Sequence, residues 1–244
     1  MSTVEDIKAL FAKLVGEPRE LMLIMEESGD ILSGSRAANF FVDGVCEETS
    51  DWDFYCRCCD ANKIGAECKL YRYLESTGCT WSKVEQTYND QILLVHRGTL
   101  GNKSVQIIGH YLEDTIEGIL GYHSTVTQSI IAHDSALCMY YDLLKDKHAV
   151  EWTTKLSFHA AGVWHTEDTP SYGRADDPIS KYTKRGIAFI PYEQYAKDIG
   201  FKVDKPRLRK TNDNSSKLLS DNDECSLSSI VWLECEEGCT MLRM

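Results

Sequence analysis

The residues best suited to chemistry in this sequence are two acidic side chains separated by a single residue. Asp51 and Asp53 lie in the segment 50–56, whose alternation of polar and apolar residues predicts a β-strand. On a strand both carboxylates point to one face, roughly 6 to 7 Å apart at about 3.3 Å per residue. Such a pair suits Mg²⁺ (or Mn²⁺), a hard cation that takes oxygen ligands and shares them with substrate phosphates.

A small turn earlier in the chain adds a second candidate feature. Gly34 and Ser35 follow the short apolar stretch 31–33 and open a predicted helix. The start of a helix presents free backbone N–H groups and the positive end of the helix dipole, so phosphate fits there. For the turn alone, a tight bend at Gly34 and an N-cap at Ser35 are equally good interpretations. Asp-x-Asp alone also occurs on edge strands, but the two motifs in this order favour a joint site.

These two motifs resemble a known family. The GSRA turn at 34–37 and the SDWDFY strand at 50–55 are similar to the nucleotidyltransferase superfamily related to DNA polymerase beta, and within it to a group of fungal proteins. The stretches 123–140 and 181–186 also look like that group, so the resemblance covers about residues 20–192. It implies an α+β (α/β) fold with a nucleotidyltransferase-like core, in which a mixed sheet is flanked by helices, with additional C-terminal helices.

The resemblance also implies an activity and its residues. A nucleoside monophosphate would pass from a nucleoside triphosphate, ATP among the candidates, to an acceptor that is a small molecule, a protein or an RNA end. Asp51 and Asp53 would be the catalytic residues and metal ligands. The nucleotide-binding set suggested in this way is Gly34, Ser35, Arg36, Lys181 and Arg185. For Lys181 and Arg185, which share a predicted helix, a solvated surface is the alternative.

A third carboxylate is usual on a neighbouring strand of this superfamily, and here that position is occupied by Gln106. Its amide oxygen can bind a metal but adds no negative charge and cannot act as a general base at neutral pH. Gln106 is thus the third predicted metal ligand, with a satisfied core amide as the alternative. Glu113, Asp114 and His110 follow downstream, where the chain would have to turn back. Two functions stay open: an active enzyme, or a catalytically reduced protein of this fold that binds nucleotide or a protein partner.

Composition limits the partners and the location. The formal net charge of −12, from 38 acidic and 26 basic residues, repels a nucleic-acid backbone, and no long basic run offsets it. Long nucleic acid is therefore not expected as a substrate. The apolar stretch 21–25 is too short to cross a bilayer, and the first residues lack a signal-peptide pattern. We expect an intracellular, cytoplasmic protein without membrane contact, whose ten cysteines are reduced thiols.

Periodicity and capping signals predict the elements that position these residues. Helices are predicted at 3–15, 18–27, 61–76, 113–120, 124–144 and 177–185. Strands 91–96 and 104–108 flank Gly101-Asn102 as a hairpin, and 150–169 is predicted to be loop or short strands. The domain prediction is one unit over 1–200, with core motifs in 29–110 and a helical part in 112–200. Residues 201–244 are predicted to form a polar, flexible tail, because their segment 211–229 is rich in Asn, Asp and Ser.

Overall fold

The structure is a computed structural model with an α+β architecture. It describes residues 2–57, 68–84, 92–110, 115–120, 122, 124–151, 155–158, 164–167, 178–201, 207–211, 213–235 and 238–241. A mixed sheet of eight strands forms its centre, and helices flank the sheet. The predicted fold class is confirmed at this level.

Helices and strands are interspersed along the described part of the chain. The helices are α1 (Thr3–Val15), α2 (Arg19–Ser28), α3 (Gly34–Phe41), α4 (Lys69–Ser76), α5 (Thr115–Leu120), α6 (Tyr141–Lys145), α7 (Pro178–Lys184) and α8 (Tyr192–Asp198). The first nine strands are β1 (Ile31–Ser33), β2 (Trp52–Arg57), β3 (Thr80–Val84), β4 (Ile92–Leu100), β5 (Lys103–His110), β6 (Ser129–Ile131), β7 (Ser135–Cys138), β8 (His148–Val150) and β9 (Lys155–Phe158). The remaining strands are β10 (Trp164–Glu167), β11 (Ala188–Ile190), β12 (Arg207–Lys210), β13 (Lys217–Ser220), β14 (Val231–Cys235) and β15 (Gly238–Met241). None of the described helices has the length and apolar character needed to cross a bilayer.

The large sheet has the strand order β13-β7-β6-β1-β2-β5-β4-β3. Within it β2 and β5 run parallel, and every other neighbouring pair is antiparallel. The hairpin predicted around Gly101-Asn102 is confirmed as β4 and β5. The acidic strand β2 therefore lies between the strand that leads into the Gly-Ser turn and the strand that carries Gln106.

One face of the sheet is covered by the N-terminal helices. Ser2 caps α1 by accepting a hydrogen bond from the Glu5 amide at 3.4 Å, as the sequence pattern predicts. The apolar stripe of α1 packs on β2, where the rings of Phe11 and Phe54 lie 6.2 Å apart and Trp52 is buried. Because side chains alternate along a strand, this arrangement leaves the Asp53 carboxylate on the opposite face.

The opposite face is apolar at one end. Ile31, Tyr55 and Ile108 lie side by side on β1, β2 and β5, and all three are buried in a core shared with α5 and α8. The next row along the same three strands is polar. The boundary between core and candidate site thus falls between Tyr55 and Asp53.

The helix predicted over 124–144 is wrong. Residues 125–127 form a single 3-10 turn, β6 and β7 form a hairpin, and only α6 is helical. Ile130 and Ile131 are both fully buried, on opposite faces of β6. A short apolar run fits the helical and the strand period equally well. Pairing of β6 with β1 in the large sheet selects the strand, and no local signal reveals that pairing.

Other helix predictions differ mainly in their boundaries. α4 begins at Lys69 rather than at residue 61, and 58–67 lie outside the described residues. α5 and α7 agree with the predicted helices at 113–120 and 177–185. The part predicted to be helical, 112–200, also contains the six short strands β6 to β11 among its described residues.

The C-terminal segment differs from the flexible tail predicted for 201–244. β13 pairs with β7 at the edge of the large sheet, and β12, β14 and β15 form a second sheet. Arg209 is fully buried there, bonded to buried Glu234 at 2.6 Å and stacked 4.7 and 5.2 Å from the ring centroids of Tyr140 and Trp232. Composition predicts a linker because it does not reveal that these charges pair across the chain.

Asp30, immediately before β1, gives a pH-dependent prediction. Burial raises its pKa from 3.8 to about 6, partly offset by a hydrogen bond from the Ser28 side chain, and Oδ2 has no hydrogen-bond partner. A raised carboxyl pKa contributes stability that is fully present below about pH 4 and is lost as pH rises through about 6. We expect Asp30→Asn to raise the free energy of unfolding by about 1 to 3 kcal/mol at pH 8 and to change it little near pH 4. Urea unfolding at both pH values measures the difference, and an equal effect at both would contradict the assignment.

Candidate functional site

The candidate site is built on one row of three neighbouring strands. Ser33 on β1 and Gln106 on β5 both lie opposite Asp53 on β2. Residues opposite one another in a sheet direct their side chains to the same face. Ser33 is the last residue of β1, so α3 begins with Gly34 directly beside the Asp53 carboxylate. The structure therefore brings together the Gly-Ser turn, the acidic strand and Gln106.

Gly34 has two reasons to be glycine. Its φ of +71° lies in the left-handed region, and a Cβ at this position would lie 2.5 Å from Asp53 Oδ2. Ser33, the residue before it, does not cap α3, because its hydroxyl donates to the carbonyls of Thr127 and Ser129 at 3.1 and 2.7 Å. The first turn of α3 thus has no side-chain cap and faces the acidic strand.

The contact between Gly34 and Asp53 predicts the effect of a methyl group. We expect Gly34→Ala to lower the free energy of unfolding by about 1 to 3 kcal/mol through backbone strain, with a further loss from the clash with the carboxylate. Gly101→Ala is the matched control, because Gly101 also has a positive φ, of +62°, with nothing within 4 Å of its Cβ position. Urea unfolding of both variants should show the larger loss for Gly34→Ala, and equal losses would contradict the contact.

The Asp53 carboxylate is half-buried, and few contacts offset the cost of burying its negative charge. Within the described residues it accepts no hydrogen bond. Burial raises its pKa to about 7, and the charge of Asp51 adds to this rise. Lys181, Arg36 and Arg97 are close enough to lower the same pKa in part. An acidic pair in this state gains from a bound cation, which would stabilise the ionised form.

The donor set is suited to an open magnesium site rather than to a closed site in which protein side chains supply every metal ligand. Asp51 and Asp53 offer carboxylates and Gln106 offers an amide oxygen. Among the described residues, no group of three His, Cys, Asp or Glu side chains could hold a metal ion. Mg²⁺ commonly binds through one or two carboxylates and completes its shell with water and substrate phosphates. No disulfide joins any of the following cysteines in the part of the chain that the structure describes: Cys46, Cys56, Cys68, Cys79, Cys138 and Cys225.

Helix α7 closes over the Gly-Ser turn. Ser35 is only 2% exposed, and its hydroxyl interacts with the buried hydroxyl of Tyr182, whose pKa is raised by burial. Lys181, the preceding residue, is half-buried, and its positive charge lowers the pKa of Asp53 in part. In the described part of the chain its ammonium forms no ion pair. The structure therefore covers the Ser35 side chain and places a cation near the acidic pair.

Arg36 and Arg185 contact the loop that precedes the acidic strand, and their role in nucleotide binding stays a prediction. Both guanidinium groups contact the loop 42–51 that precedes β2, through Ser50 in each case. Arg36 also contributes positive charge near Asp53.

Gln106 occupies the position where a third carboxylate is expected. It is half-buried, and its side-chain amide has no hydrogen-bond partner within the described residues, unlike a satisfied core amide. His110 lies four residues further along β5, roughly 13 Å away at about 3.3 Å per residue. Glu113 and Asp114 lie outside the described residues.

One charged residue near the site, Arg97, was not predicted from the sequence. Arg97 lies opposite Gln106 in the β4–β5 hairpin, and its charge lowers the pKa of Asp53. The signal was available, because a two-residue turn at Gly101-Asn102 fixes the register of both strands and pairs Arg97 with Gln106.

Comparison of the chain with protein-family models, with curated proteins and with solved structures finds no match. The assignment of a function therefore depends on the residues themselves. The Asp53 row and the adjoining Gly-Ser turn are the features from which a function can be argued.

Proposed function

We propose that this protein is a metal-dependent nucleotidyltransferase with a nucleotidyltransferase-like core. It transfers a nucleoside monophosphate from a nucleoside triphosphate to an acceptor hydroxyl. The observation that carries the proposal is the position of Asp53, which lies beside Gln106 on one strand and against the Gly34 turn on the other side. This arrangement unites an acidic pair with an uncapped helix start, and both are suited to a triphosphate and its metal.

The proposed reaction forms one bond and breaks another at the α-phosphorus. The acceptor oxygen bonds to that phosphorus, the bond to the oxygen bridging the β-phosphorus breaks, and pyrophosphate leaves. Asp51 and Asp53, with Gln106, would hold Mg²⁺ or Mn²⁺, which supplies positive charge against the charge on the phosphate oxygens. Lys181 adds a cation on the same side.

The proton of the attacking hydroxyl also needs an acceptor. Asp53 is the candidate, because its carboxylate lies in the row that would hold the metal and the triphosphate, in the same site as the attacking hydroxyl. Gln106 cannot take this role, since an amide does not accept a proton at neutral pH. The Gly34-Ser35 turn is proposed to bind the triphosphate, with its backbone N–H groups as donors.

The partners proposed for this reaction follow from charge and site. The nucleotide is ATP or another triphosphate, and the acceptor is a small molecule, a protein or an RNA end. The net charge of −12 disfavours long nucleic acid. A cytoplasmic location remains our prediction.

A second function is favoured by one observation. Gln106 lies opposite Asp53 where a third acid would complete the metal site. Without that charge the protein is a candidate for a catalytically reduced member of the fold, which binds nucleotide or a protein partner without turnover.

Transfer of label separates the two functions. The protein is incubated with each nucleoside triphosphate labelled at the α- or γ-phosphate, with Mg²⁺ or Mn²⁺, and with pooled RNA, protein and metabolite acceptors. Transfer of α-label but not γ-label is expected, with loss in Asp51→Asn and retention in Asp223→Asn, a control at an exposed acid. Nucleotide-dependent stabilisation without transfer supports the second function. Absence of both nucleotide binding and label transfer would contradict both functions.

A further inference from the structure

We infer that Arg36 and Arg185 are positioning residues that hold the chain next to Asp51 and so fix the acidic pair. The inference depends on the proposed function for the role of that pair. Its contacts are independent of any nucleotide. Together we call Arg36, Ser50 and Arg185 the Ser50 clamp.

Ser50 is the centre of the clamp. It is 5% exposed and forms a tight turn, in which its amide donates to the Glu47 carbonyl at 3.0 Å and its hydroxyl accepts from the Glu47 amide at 2.9 Å. Its carbonyl and its hydroxyl each accept a further bond from an arginine. A buried serine that accepts from two sides fixes the backbone at the residue before Asp51.

Arg36 holds both neighbours of Asp51. Its Nε and Nη2 donate to the Ser50 carbonyl at 3.0 and 2.5 Å, and Nη2 also donates to the Glu48 carbonyl at 2.7 Å. Its guanidinium carbon lies 4.5 Å from the centroid of the Trp52 ring. The same side chain therefore contacts the residue before Asp51 and the residue after it.

Arg185 ties the same loop to the end of α7. Its Nη2 donates to Ser50 Oγ and its Nη1 to the Val45 carbonyl, both at 3.1 Å, while Nε lies 3.4 Å from Glu47 Oε1. All three nitrogens are thus engaged, and the side chain is 8% exposed. A phosphate could bind Arg185 only at the expense of these bonds. α7 also carries Tyr182 and Lys181, so the clamp joins that helix to the acidic strand.

Asp51 needs such support more than Asp53 does. β2 begins at Trp52, so Asp53 is fixed by pairing on both sides while Asp51 precedes the strand. Asp51 and Asp53 are close enough in the structure for their like charges to repel each other. Without contacts on the preceding loop, Asp51 would turn toward solvent and the metal site would lose a ligand.

Ser50→Ala is the sharpest test, because the residue is buried and its hydroxyl bonds to the Glu47 amide and to Arg185. The probe is Mn²⁺ with inorganic tripolyphosphate, which needs no knowledge of the preferred base. We expect about tenfold weaker Mn²⁺ binding by electron paramagnetic resonance, the size typical of lost outer-shell support. Amide hydrogen exchange over 45–51 should become faster in the metal-free protein. Ser76→Ala, at an exposed serine of α4, is the control and should change neither quantity.

Two further variants separate positioning from nucleotide binding. Arg185→Lys keeps the charge but loses the three-nitrogen geometry, so its loss should match that of Ser50→Ala. The double variant Ser50→Ala/Arg185→Lys should lose little more than either single variant, because both break one network. Additive losses would show that Arg185 binds the probe itself. Lys181→Gln should weaken tripolyphosphate binding without changing exchange over 45–51.

The outcomes distinguish this inference from the proposed function. Unchanged Mn²⁺ affinity and unchanged exchange in Ser50→Ala overturn the inference even where label transfer occurs. No Mn²⁺ binding in the wild type overturns it as well, since no acidic pair would then require positioning. Weakened Mn²⁺ binding and faster exchange in Ser50→Ala support the inference. Absence of label transfer from every nucleoside triphosphate would count only against the proposed function and would leave that support intact.

Discussion

Replacement of Asp53 by Asn is expected to remove nucleotide-dependent stabilisation while making the empty protein more stable at pH 8. The folded-state pKa of Asp53, about 7, lies above the ordinary 3.8. The stability that this carboxyl contributes is therefore full below about pH 4 and is lost as pH rises through about 7. An uncharged amide avoids the loss, so we expect a gain of about 1 to 4 kcal/mol at pH 8 and little change near pH 4.

The same substitution removes a metal ligand. In the wild type, a nucleoside triphosphate at 100 times its Kd with Mg²⁺ should add about 2.7 kcal/mol of stability. Asp53→Asn should lose most of this gain, and transfer should fall by about a thousandfold, as when a group that stabilises transition-state charge is removed. Thermal unfolding with and without MgATP, repeated for the other triphosphates, measures the binding. Asp223→Asn is the control, and an unchanged shift in Asp53→Asn would place binding elsewhere.

Gln106→Asp is expected to have the second large effect, on metal affinity and on label transfer. The added carboxylate lies opposite Asp53 and should tighten Mn²⁺ binding, because it restores negative charge to the row. In a catalytically reduced protein we expect transfer to appear or to rise by about a hundredfold, the contribution typical of a general base. In a protein already active with two carboxylates the rate should change only modestly, while Gln106→Ala should lower it by removing a positioned amide.

Mn²⁺ affinity and label transfer in the wild type and in both Gln106 variants decide between these cases. Gln194→Ala, at an exposed amide of α8, controls for the loss of a glutamine far from the row. Gln106 lies outside the metal site if neither substitution changes either quantity. Faster transfer in Gln106→Asp with unchanged metal affinity would assign the new carboxylate to proton transfer alone.

The centre of the candidate site could be predicted from local signals. Strand alternation places Asp53 away from the apolar face, and a glycine before a helical run marks the turn at Gly34. The two-residue turn at Gly101-Asn102 sets the register that carries Gln106 into place. Each of these signals acts over a few residues, which is why the sequence reveals them.

The parts that could not be predicted depend on contacts between distant residues. Ile130 and Ile131 become a strand because β6 pairs with β1, about a hundred residues earlier in the chain. Arg209 is buried because Glu234 and two aromatic rings receive it. Arg36 donates hydrogen bonds to the main-chain carbonyls of Glu48 and Ser50, and the sequence does not reveal these contacts because every residue carries such a carbonyl. Residue type therefore predicts a charge near the site but not what that charge holds.

A crystal of the protein grown with Mn²⁺ and a slowly hydrolysed nucleoside triphosphate tests the central claim most directly. Anomalous scattering locates the metal without assumptions about the nucleotide. The account predicts Mn²⁺ within about 2.2 Å of carboxylate oxygens of Asp51 and Asp53, with the triphosphate against the Gly34-Ser35 turn. Mn²⁺ and triphosphate bound at another place, or the two carboxylates directed to opposite faces of the sheet, would contradict it.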